Sequence, residues 1–315
     1  MTRPQILQLV PYHDRDQIPL DAAFTVHKLF EAPDRPAFLA SHGPKIRAIA
    51  GAASRPVPRD LIEACPNLEL IALFGVGLDS IDLETCRARG IKVTNTPDVL
   101  SGDCADLAVG MLLALARGMV DADAWVRSGA WAAKGSYPLQ RRVWGKRAGI
   151  LGLGRIGTEL ARRLEGFGMQ IAYSARSRRD VPATWDYIPD AADLAARSDV
   201  LFLTLSASAA TRHIVGSRVI AALGPAGMLV NISRASIIDE DALLTALETG
   251  GLGGAALDVF EGEPQVNPRF VPLRNVLLQP HHASGTTETR TAMGQLMRDN
   301  LTAHFAGQPL LTPVR

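Results

Sequence analysis

Short apolar runs alternate with longer amphipathic stretches along the whole chain. Short runs rich in Val, Ile and Leu are typical of buried strands, and amphipathic stretches are typical of helices. The predicted strands are Ile6–Val10, Arg47–Ala52, Leu68–Phe74, Ile91–Thr94, Ala148–Leu153, Gln170–Tyr173, Asp199–Leu205, Met228–Ile232, Gly254–Val259 and Val276–Leu278. Because strands separated by helices form parallel βαβ units, the pattern predicts an α/β protein with two doubly wound parallel sheets.

The strand pattern is interrupted at Asn95-Thr-Pro-Asp98, and a long helical pattern begins at about Ser101. Proline disfavours a continuing strand, and 315 residues are enough for about two domains. We therefore predict a first domain formed by residues 1–98 and 287–315, and a second formed by residues 99–286. A helical pattern from about Glu288 to Phe305 would return the chain to the first domain.

Composition excludes several classes of partner. The chain has 33 Lys and Arg against 32 Asp and Glu, so its charge gives no reason to expect nucleic acid or an acidic membrane surface. The longest apolar run, Leu107–Ala116, is too short for a membrane span, and no signal-peptide pattern opens the chain. We expect a cytoplasmic protein. Cys65, Cys86 and Cys104 show no metal-ligand spacing, which favours reduced, buried thiols and no metal.

Three glycines follow the predicted strand Ala148–Leu153 and open a helical pattern. The first can make a tight turn, the second can let a pyrophosphate approach the backbone, and the third can let helix and strand pack closely. The helix N-terminus adds N–H groups and a positive dipole end. The pattern favours a dinucleotide site over an ordinary glycine-rich turn. The contacts predicted at this turn are Gly152, Gly154, Arg155, Ile156 and Gly157.

The segment after the next strand indicates which dinucleotide is bound. NAD sites usually place an Asp or Glu about 20 residues after the glycines, where it binds the ribose 2′-hydroxyl. This chain has no carboxylate there before Asp180, but it has several arginines, whose charge and forked donors suit a 2′-phosphate. NADP(H) is predicted, with a solvated basic loop as the alternative. The predicted contacts are Ser174, Arg176, Ser177 and Arg178, with Arg176 the first choice, followed by Arg178 and its neighbour Arg179.

Candidate catalytic groups follow three more predicted strands. Their segments are Asn231–Glu240, Leu257–Pro264 and Leu278–Thr286. In open α/β sheets ligands bind beyond the carboxyl ends of the strands, so Arg234, Glu263 and His281 could converge there. A hydride that reaches a carbonyl carbon leaves negative charge on oxygen, which calls for a cation and a proton donor. Taken singly, the three residues could equally be a surface ion-pair partner, a solvated acid and a core histidine.

The chain resembles the D-isomer-specific 2-hydroxyacid dehydrogenases, and within them the NADPH-dependent glyoxylate, hydroxypyruvate and hydroxyphenylpyruvate reductases. The resemblance is nearly full length and implies a Rossmann NADP-binding domain and a flavodoxin-like substrate domain. Besides the segments above, it is carried by Phe74-Gly-Val-Gly-Leu-Asp79, Val93-Thr-Asn-Thr-Pro-Asp-Val99, Ala105-Asp-Leu-Ala108 and the tail Ala303 to Pro313.

The resemblance implies a role for each candidate. Arg234 would bind the substrate and polarise its carbonyl, His281 would donate the proton, and Glu263 would be the partner of His281. The backbone amides of Val76 and Gly77 would hold the substrate carboxylate. The further cofactor contacts that it implies are Ser233, Asp258 at the nicotinamide carboxamide, His281 and Ser284.

The chain departs from the family pattern at three places. His282 stands where the family often has an apolar residue. The family's proton donor directly follows a proline, which selects His281 because Pro280 precedes it. Ala235 stands where the family usually has glycine, which predicts that this position does not require positive φ. The segment Leu205–Thr211 lacks the usual prolines, so the shape of this loop is open.

An aromatic segment between the long helix and the glycines resembles the dimerisation arm of the family. We predict a homodimer formed mainly through the second domain. Core packing within one chain is the alternative for these aromatic side chains, and the entry of Tyr137 into a partner's site is open. The residues are Trp125, Trp131, Tyr137 and Trp144.

The predicted activity is NADPH-dependent reduction of small 2-oxoacids, such as glyoxylate and hydroxypyruvate, to D-2-hydroxyacids. One alternative is reduction of larger aryl pyruvates. Another is NAD-dependent oxidation of 3-phosphoglycerate. The basic segment disfavours this alternative because it argues against NAD, and we do not expect the extra C-terminal regulatory domain that enzymes of this kind often have. A non-catalytic, dinucleotide-sensing corepressor is disfavoured by the complete set Arg234, Glu263 and His281. The sequence leaves the physiological 2-oxoacid open.

Overall fold

The computed structural model describes residues 3–314. The chain folds into two compact units, Met1–Leu100 with Gly285–Arg315, and Ser101–Ser284. The domain limits predicted from the sequence lie two residues from these divisions.

The first unit contains a five-stranded parallel sheet in the order β2-β1-β3-β4-β5. Its elements are β1 (Gln5–Gln8), α1 (Asp14–Ala23), β2 (Thr25–Lys28), α2 (Arg35–His42), β3 (Ala48–Ala52), α3 (Arg59–Glu63), β4 (Leu70–Phe74), α4 (Leu83–Ala88) and β5 (Lys92–Thr94). Apolar cores form on both faces of the sheet because neighbouring residues of a strand face opposite sides, as Ile6 and Leu7 do. This strand order is the flavodoxin-like one.

The second unit contains a seven-stranded parallel sheet in the order β12-β11-β10-β9-β6-β7-β8. Its elements are α5 (Ser101–Arg117), α6 (Met119–Arg127), α7 (Ala130–Lys134), β6 (Arg147–Leu151), α8 (Arg155–Glu165), β7 (Gln170–Ser174), β8 (Asp186–Tyr187), α9 (Ala191–Ala196), β9 (Val200–Leu203), α10 (Ser217–Leu223), β10 (Met228–Asn231), α11 (Glu240–Thr249), β11 (Gly254–Leu257) and β12 (Val276–Leu278). The chain reverses its direction of winding between β6 and β9, as in the Rossmann fold. Both sheets confirm the predicted fold class.

The chain ends with α12 (Thr287–Phe305), which packs on β4 and therefore returns to the first unit, as predicted. Thr286 caps this helix by accepting a hydrogen bond from the Thr289 N–H. The buried residues Met297 and Leu301 join the core that Ile6 and Leu70 form on one face of the sheet.

Two strands were not predicted from the sequence. β2 and β8 lie at the edges of their sheets, where one side lacks a neighbour and the side chains stay partly exposed. Edge strands need no continuous apolar run, so neither gave a buried-strand pattern. Several predicted strands also ran too far, because apolar residues such as Val10, Leu153 and Leu205 lie in the loops after the strands.

The three cysteines are free and buried, which confirms the prediction of reduced, buried thiols. Burial raises the pKa of Cys65 and Cys86 to about 11. Within residues 3–314, no helix has the length and apolar character needed to span a membrane.

Candidate active site

The glycine turn between β6 and α8 gives each glycine a distinct environment. Gly152 has φ of +106°, and a Cβ there would lie 2.5 Å from the Leu205 nitrogen. A Cβ on Gly157 would overlap the Gly152 carbonyl oxygen, so close packing of helix on turn requires glycine. A Cβ on Gly154 would meet nothing within 4 Å, so the space above this residue is open. The turn fits a pyrophosphate at the start of α8.

The basic loop after β7 is held at both ends by phenol groups. The Tyr187 hydroxyl donates to the Ala175 carbonyl at 3.1 Å, and the Arg179 N–H donates to the Tyr173 hydroxyl oxygen at 2.9 Å. Between these anchors the side chains of Arg176, Ser177 and Arg178 are exposed. The Arg178 guanidinium lies 5.5 Å from the centroid of the Tyr187 ring, within the range of a cation–π interaction. Neither tyrosine was predicted from the sequence to shape this loop.

Ser174 differs from the other residues predicted at the 2′-phosphate. It is the last residue of β7 and is buried, and its hydroxyl donates to the Pro189 carbonyl at 2.9 Å. Since the hydroxyl proton is engaged, the side chain has no donor left for a phosphate in this arrangement. The exposed candidates for this contact are therefore Arg176, Ser177 and Arg178.

Two segments of the second unit bring a histidine and a carboxylate together. Nδ1 of His281, three residues after β12, lies 2.6 Å from Oε2 of Glu263, and Oε1 of Glu263 accepts the Phe260 N–H at 2.9 Å. Partial burial disfavours the charged carboxylate of Glu263, but these bonds and the nearby charge of Arg234 outweigh burial and lower its pKa. Within residues 3–314, no group hydrogen-bonds to Nε2 of His281, which leaves this nitrogen for an external oxygen.

The backbone at this histidine is held in an uncommon conformation. His281 has a backbone φ of +50°, a value that residues other than glycine adopt rarely. The buried carboxylate of Asp258, next to the end of β11, accepts the N–H groups of His282 and Ala283, each at 2.9 Å. Burial raises the pKa of Asp258, and these two hydrogen bonds act against the rise. Asp258 therefore braces the segment that carries His281, a role that the sequence did not reveal.

Arg234 lies in the loop after β10, and Asn231 holds this loop. Oδ1 of the buried Asn231 accepts both the N–H and the hydroxyl of Ser233, and its Nδ2 donates to the Arg234 carbonyl at 3.1 Å. The Arg234 side chain donates to the Ser233 carbonyl at 2.9 Å. Ala235 is not among the residues with positive φ in the described part of the chain, as predicted. Asn231 is a bracing residue that no sequence pattern singled out.

The turn after β4 carries the predicted carboxylate-binding amides in the first unit. Gly75 has φ of +137°, and a Cβ there would lie 2.6 Å from the Ala53 Cβ. The Asn95 side chain donates to the Val76 carbonyl at 3.0 Å. Because the carbonyl and N–H of a trans peptide are oppositely directed, this bond fixes the orientation of the Gly77 N–H.

Comparison with known proteins identifies the family. Residues 109–283 match the family described as D-isomer specific 2-hydroxyacid dehydrogenase, NAD binding domain. The chain belongs to the D-isomer specific 2-hydroxyacid dehydrogenase family. It is 46% identical over 309 residues to a glyoxylate/hydroxypyruvate reductase A of Arabidopsis thaliana, and 44% identical over 310 residues to a hydroxyphenylpyruvate reductase of Plectranthus scutellarioides. Each alignment covers 98% of both proteins.

Two solved structures of the family are similar over nearly their whole length. A 2-hydroxyacid dehydrogenase from Ketogulonicigenium vulgare Y25 is 67% identical with a TM-score of 0.94, and the match covers 100% of this chain and 99% of that one. An NADPH-dependent glyoxylate/hydroxypyruvate reductase from Sinorhizobium meliloti, in complex with NADP and malonate, is 41% identical with a TM-score of 0.94. That match covers 99% of this chain and 97% of the other. These findings confirm the family predicted from the sequence.

Proposed function

We propose that the protein reduces small 2-oxoacids, such as glyoxylate and hydroxypyruvate, to D-2-hydroxyacids with NADPH. The observation that carries this proposal is the 2.6 Å contact between His281 Nδ1 and Glu263 Oε2, in the unit that also holds the glycine turn. The similar reductases from A. thaliana and S. meliloti support the substrate class. The first unit would bind the substrate carboxylate, and the second would bind the cofactor.

In the reduction, one side chain stabilises negative charge and another transfers a proton. Bound NADPH supplies the hydride. Arg234 holds the substrate and stabilises the negative charge that develops on the carbonyl oxygen. Glu263 accepts a hydrogen bond from the Nδ1–H of the His281 imidazolium. The imidazolium transfers its Nε2 proton to the carbonyl oxygen of the substrate and keeps the Nδ1–H. Ser233, Asp258 and Ser284 belong to the loops that we place beside the nicotinamide.

The residues of the second unit fit NADP(H). Gly154 leaves open space for a pyrophosphate, Gly152 and Gly157 allow the tight turn and the close packing of α8 on it, and the backbone N–H groups of Arg155 and Ile156 begin α8. The exposed loop Ala175–Arg179 contains arginines and no carboxylate, so a 2′-phosphate meets attraction rather than repulsion. The S. meliloti reductase, which was solved with NADP, also supports this choice.

Steady-state kinetics with a substrate panel test this function. We expect glyoxylate and hydroxypyruvate to be reduced with a higher kcat/KM for NADPH than for NADH, and pyruvate and 4-hydroxyphenylpyruvate to give lower values. The Arg176→Ala variant should lose roughly tenfold in its preference for NADPH, because a hydrogen bond between charged groups is lost. The matched control is Arg274→Ala, which removes an exposed arginine outside the loop.

The same panel separates the alternatives. Highest activity with 4-hydroxyphenylpyruvate would assign the protein to the aryl pyruvate reductases, an interpretation favoured by the 44% identity to the P. scutellarioides enzyme. A preference for NADH would contradict the cofactor assignment, and no turnover of any 2-oxoacid would contradict the enzyme assignment.

We also propose a cytoplasmic homodimer joined through the second unit. Trp131 and Trp144 are 62% and 65% exposed, so the alternative of core packing within one chain is wrong for them. Trp125 and Tyr137 contact each other with ring centroids 5.9 Å apart. Three free, buried cysteines are typical of a reducing compartment, which supports the cytoplasm.

A further inference from the structure

A cavity of about 590 Å³ lies in the first unit where β1 and β3 end. In the order β2-β1-β3-β4-β5, β1 lies between β2 and β3. The chain runs from β1 to β2 on one side and then crosses to β3 on the other side, so the direction of winding reverses between β1 and β3. In a sheet of this order, ligands bind at the carboxyl ends of these two strands. The position of the cavity therefore indicates a ligand site.

The wall of the cavity is rich in positive charge. It includes Arg15, Arg55 and Arg290. The carboxylate in the wall, Asp16, is buried, lies 3.7 Å from Arg15, and is bonded to Arg298 as well. Arg298 lies outside the wall, so the wall itself has three arginines against one carboxylate and a net positive charge. A positively charged cavity of this size suits an anionic group.

The arginines of the wall are held differently. The Arg290 guanidinium lies 5.7 Å from the centroid of the Phe74 ring, within the range of a cation–π interaction. The side chain of Arg55 has no hydrogen-bond or ion-pair partner within residues 3–314, while its backbone N–H donates to the Ala52 carbonyl at 2.9 Å. The backbone of Arg55 is thus anchored to the end of β3, and its charge is available to a ligand.

The cavity adjoins the turn that would hold the substrate carboxylate. Phe74 lines the cavity and accepts the Ala53 N–H at 3.2 Å, and Val76 follows two residues later. Two residues span at most about 7 Å. A 2-oxoacid bound at the amides of Val76 and Gly77 could therefore place the far end of a chain of a few carbon atoms in the cavity.

We propose that this cavity binds a second anionic group, a carboxylate or a phosphate, at the end of the 2-oxoacid remote from the reacting carbonyl. Arg55 is the residue that selects this group. The proposal rests on the proposed function, because it assigns a substrate class to the same reaction. It favours 2-oxoacids with an acidic tail over their neutral counterparts of equal length.

Matched pairs of substrates test this selection. The carboxylate arm compares 2-oxoglutarate with 2-oxopentanoate, and the phosphate arm compares 3-phosphohydroxypyruvate with hydroxypyruvate. In each pair the quantity measured is the ratio of kcat/KM for the acidic member to that for the neutral member. We expect Arg55→Ala to lower this ratio by roughly tenfold in at least one arm, since a charge-assisted hydrogen bond is lost, and Arg55→Lys to lower it less.

The control and a binding measurement complete the test. Arg35→Ala, which removes an exposed arginine of α2 outside the cavity, should leave the ratio unchanged. Calorimetry with glutarate, which needs no turnover, should show a Kd that rises by a similar factor in Arg55→Ala. Equal ratios and equal glutarate affinities in the wild type and Arg55→Ala would overturn the proposal. If no 2-oxoacid were reduced, the proposed function would fail, and glutarate binding would still decide the role of the cavity.

Discussion

His281 and His282 are adjacent in the sequence, but the structure engages them differently. His281 contacts Glu263 through its ring, whereas His282 contributes its backbone N–H to Asp258. We therefore expect His281→Ala to lower kcat by about 10²- to 10⁴-fold, the contribution typical of a positioned acid, with little change in the Kd for NADPH. His282→Ala keeps the backbone N–H and serves as the control. Equal losses of kcat in the two variants would contradict the assignment of the proton donor.

At the scale of single residues, the sequence offered candidates for the chemistry where a suitable residue type followed a strand. Arg234, Glu263 and His281 were candidates because a ketone reduction needs a cation, a carboxylate and an imidazole at strand ends, but only the resemblance to the family assigned their roles. The bracing roles of Asn231 and Asn95 were not recognised, because most of their hydrogen bonds are to backbone groups. The partner of Asn95, the Val76 carbonyl, lies 19 residues away, and only the folded chain brings them together.

At the scale of elements, the shortest strand has a consequence for cofactor choice. β8 contains two residues, and one of them, Tyr187, lies under the Arg178 guanidinium. We expect Tyr187→Leu to lower the ratio of kcat/KM for NADPH to that for NADH by about two- to fivefold, because the cation–π contact is lost. Tyr187→Phe keeps the ring and loses only the bond to Ala175, so it should keep most of the ratio. The two variants are compared by steady-state kinetics with each cofactor, and an equal fall in both would contradict a role for the ring.

The sequence predicted every central strand and the edge strands Lys92–Thr94 and Val276–Leu278, but it missed the edge strands β2 and β8. A central strand such as Val200–Leu203 must be apolar on both faces because helices cover the sheet. An edge strand such as Thr25–Lys28 has one free side and carries polar residues, so its pattern resembles a loop. The missed strand β8 is an edge strand as well, which explains why the residue beneath Arg178 was not predicted from the sequence.

At the scale of the molecule, residues 119–144 of the second unit expose six large apolar side chains, and we propose that they form an interaction surface. The helices α6 and α7 bury none of their own residues, and Leu139 is fully exposed. Large exposed apolar patches on a folded protein mark interaction sites, and two-fold dimers are the commonest soluble assembly. The exposed apolar residues are Met119, Val120, Val126, Trp131, Leu139 and Trp144.

We therefore expect light scattering at micromolar concentration to give twice the 33.7 kDa mass of the chain. The double variant Trp131→Asp with Leu139→Asp should shift the mass to that of a monomer, because two charges would have to be buried without partners at the interface. Val271→Asp is the matched control, since Val271 is exposed in the same unit but lies outside this surface. A wild-type protein of monomer mass would contradict the dimer. A double variant that stays dimeric and keeps its circular dichroism spectrum would instead place the interface on another surface of the second unit.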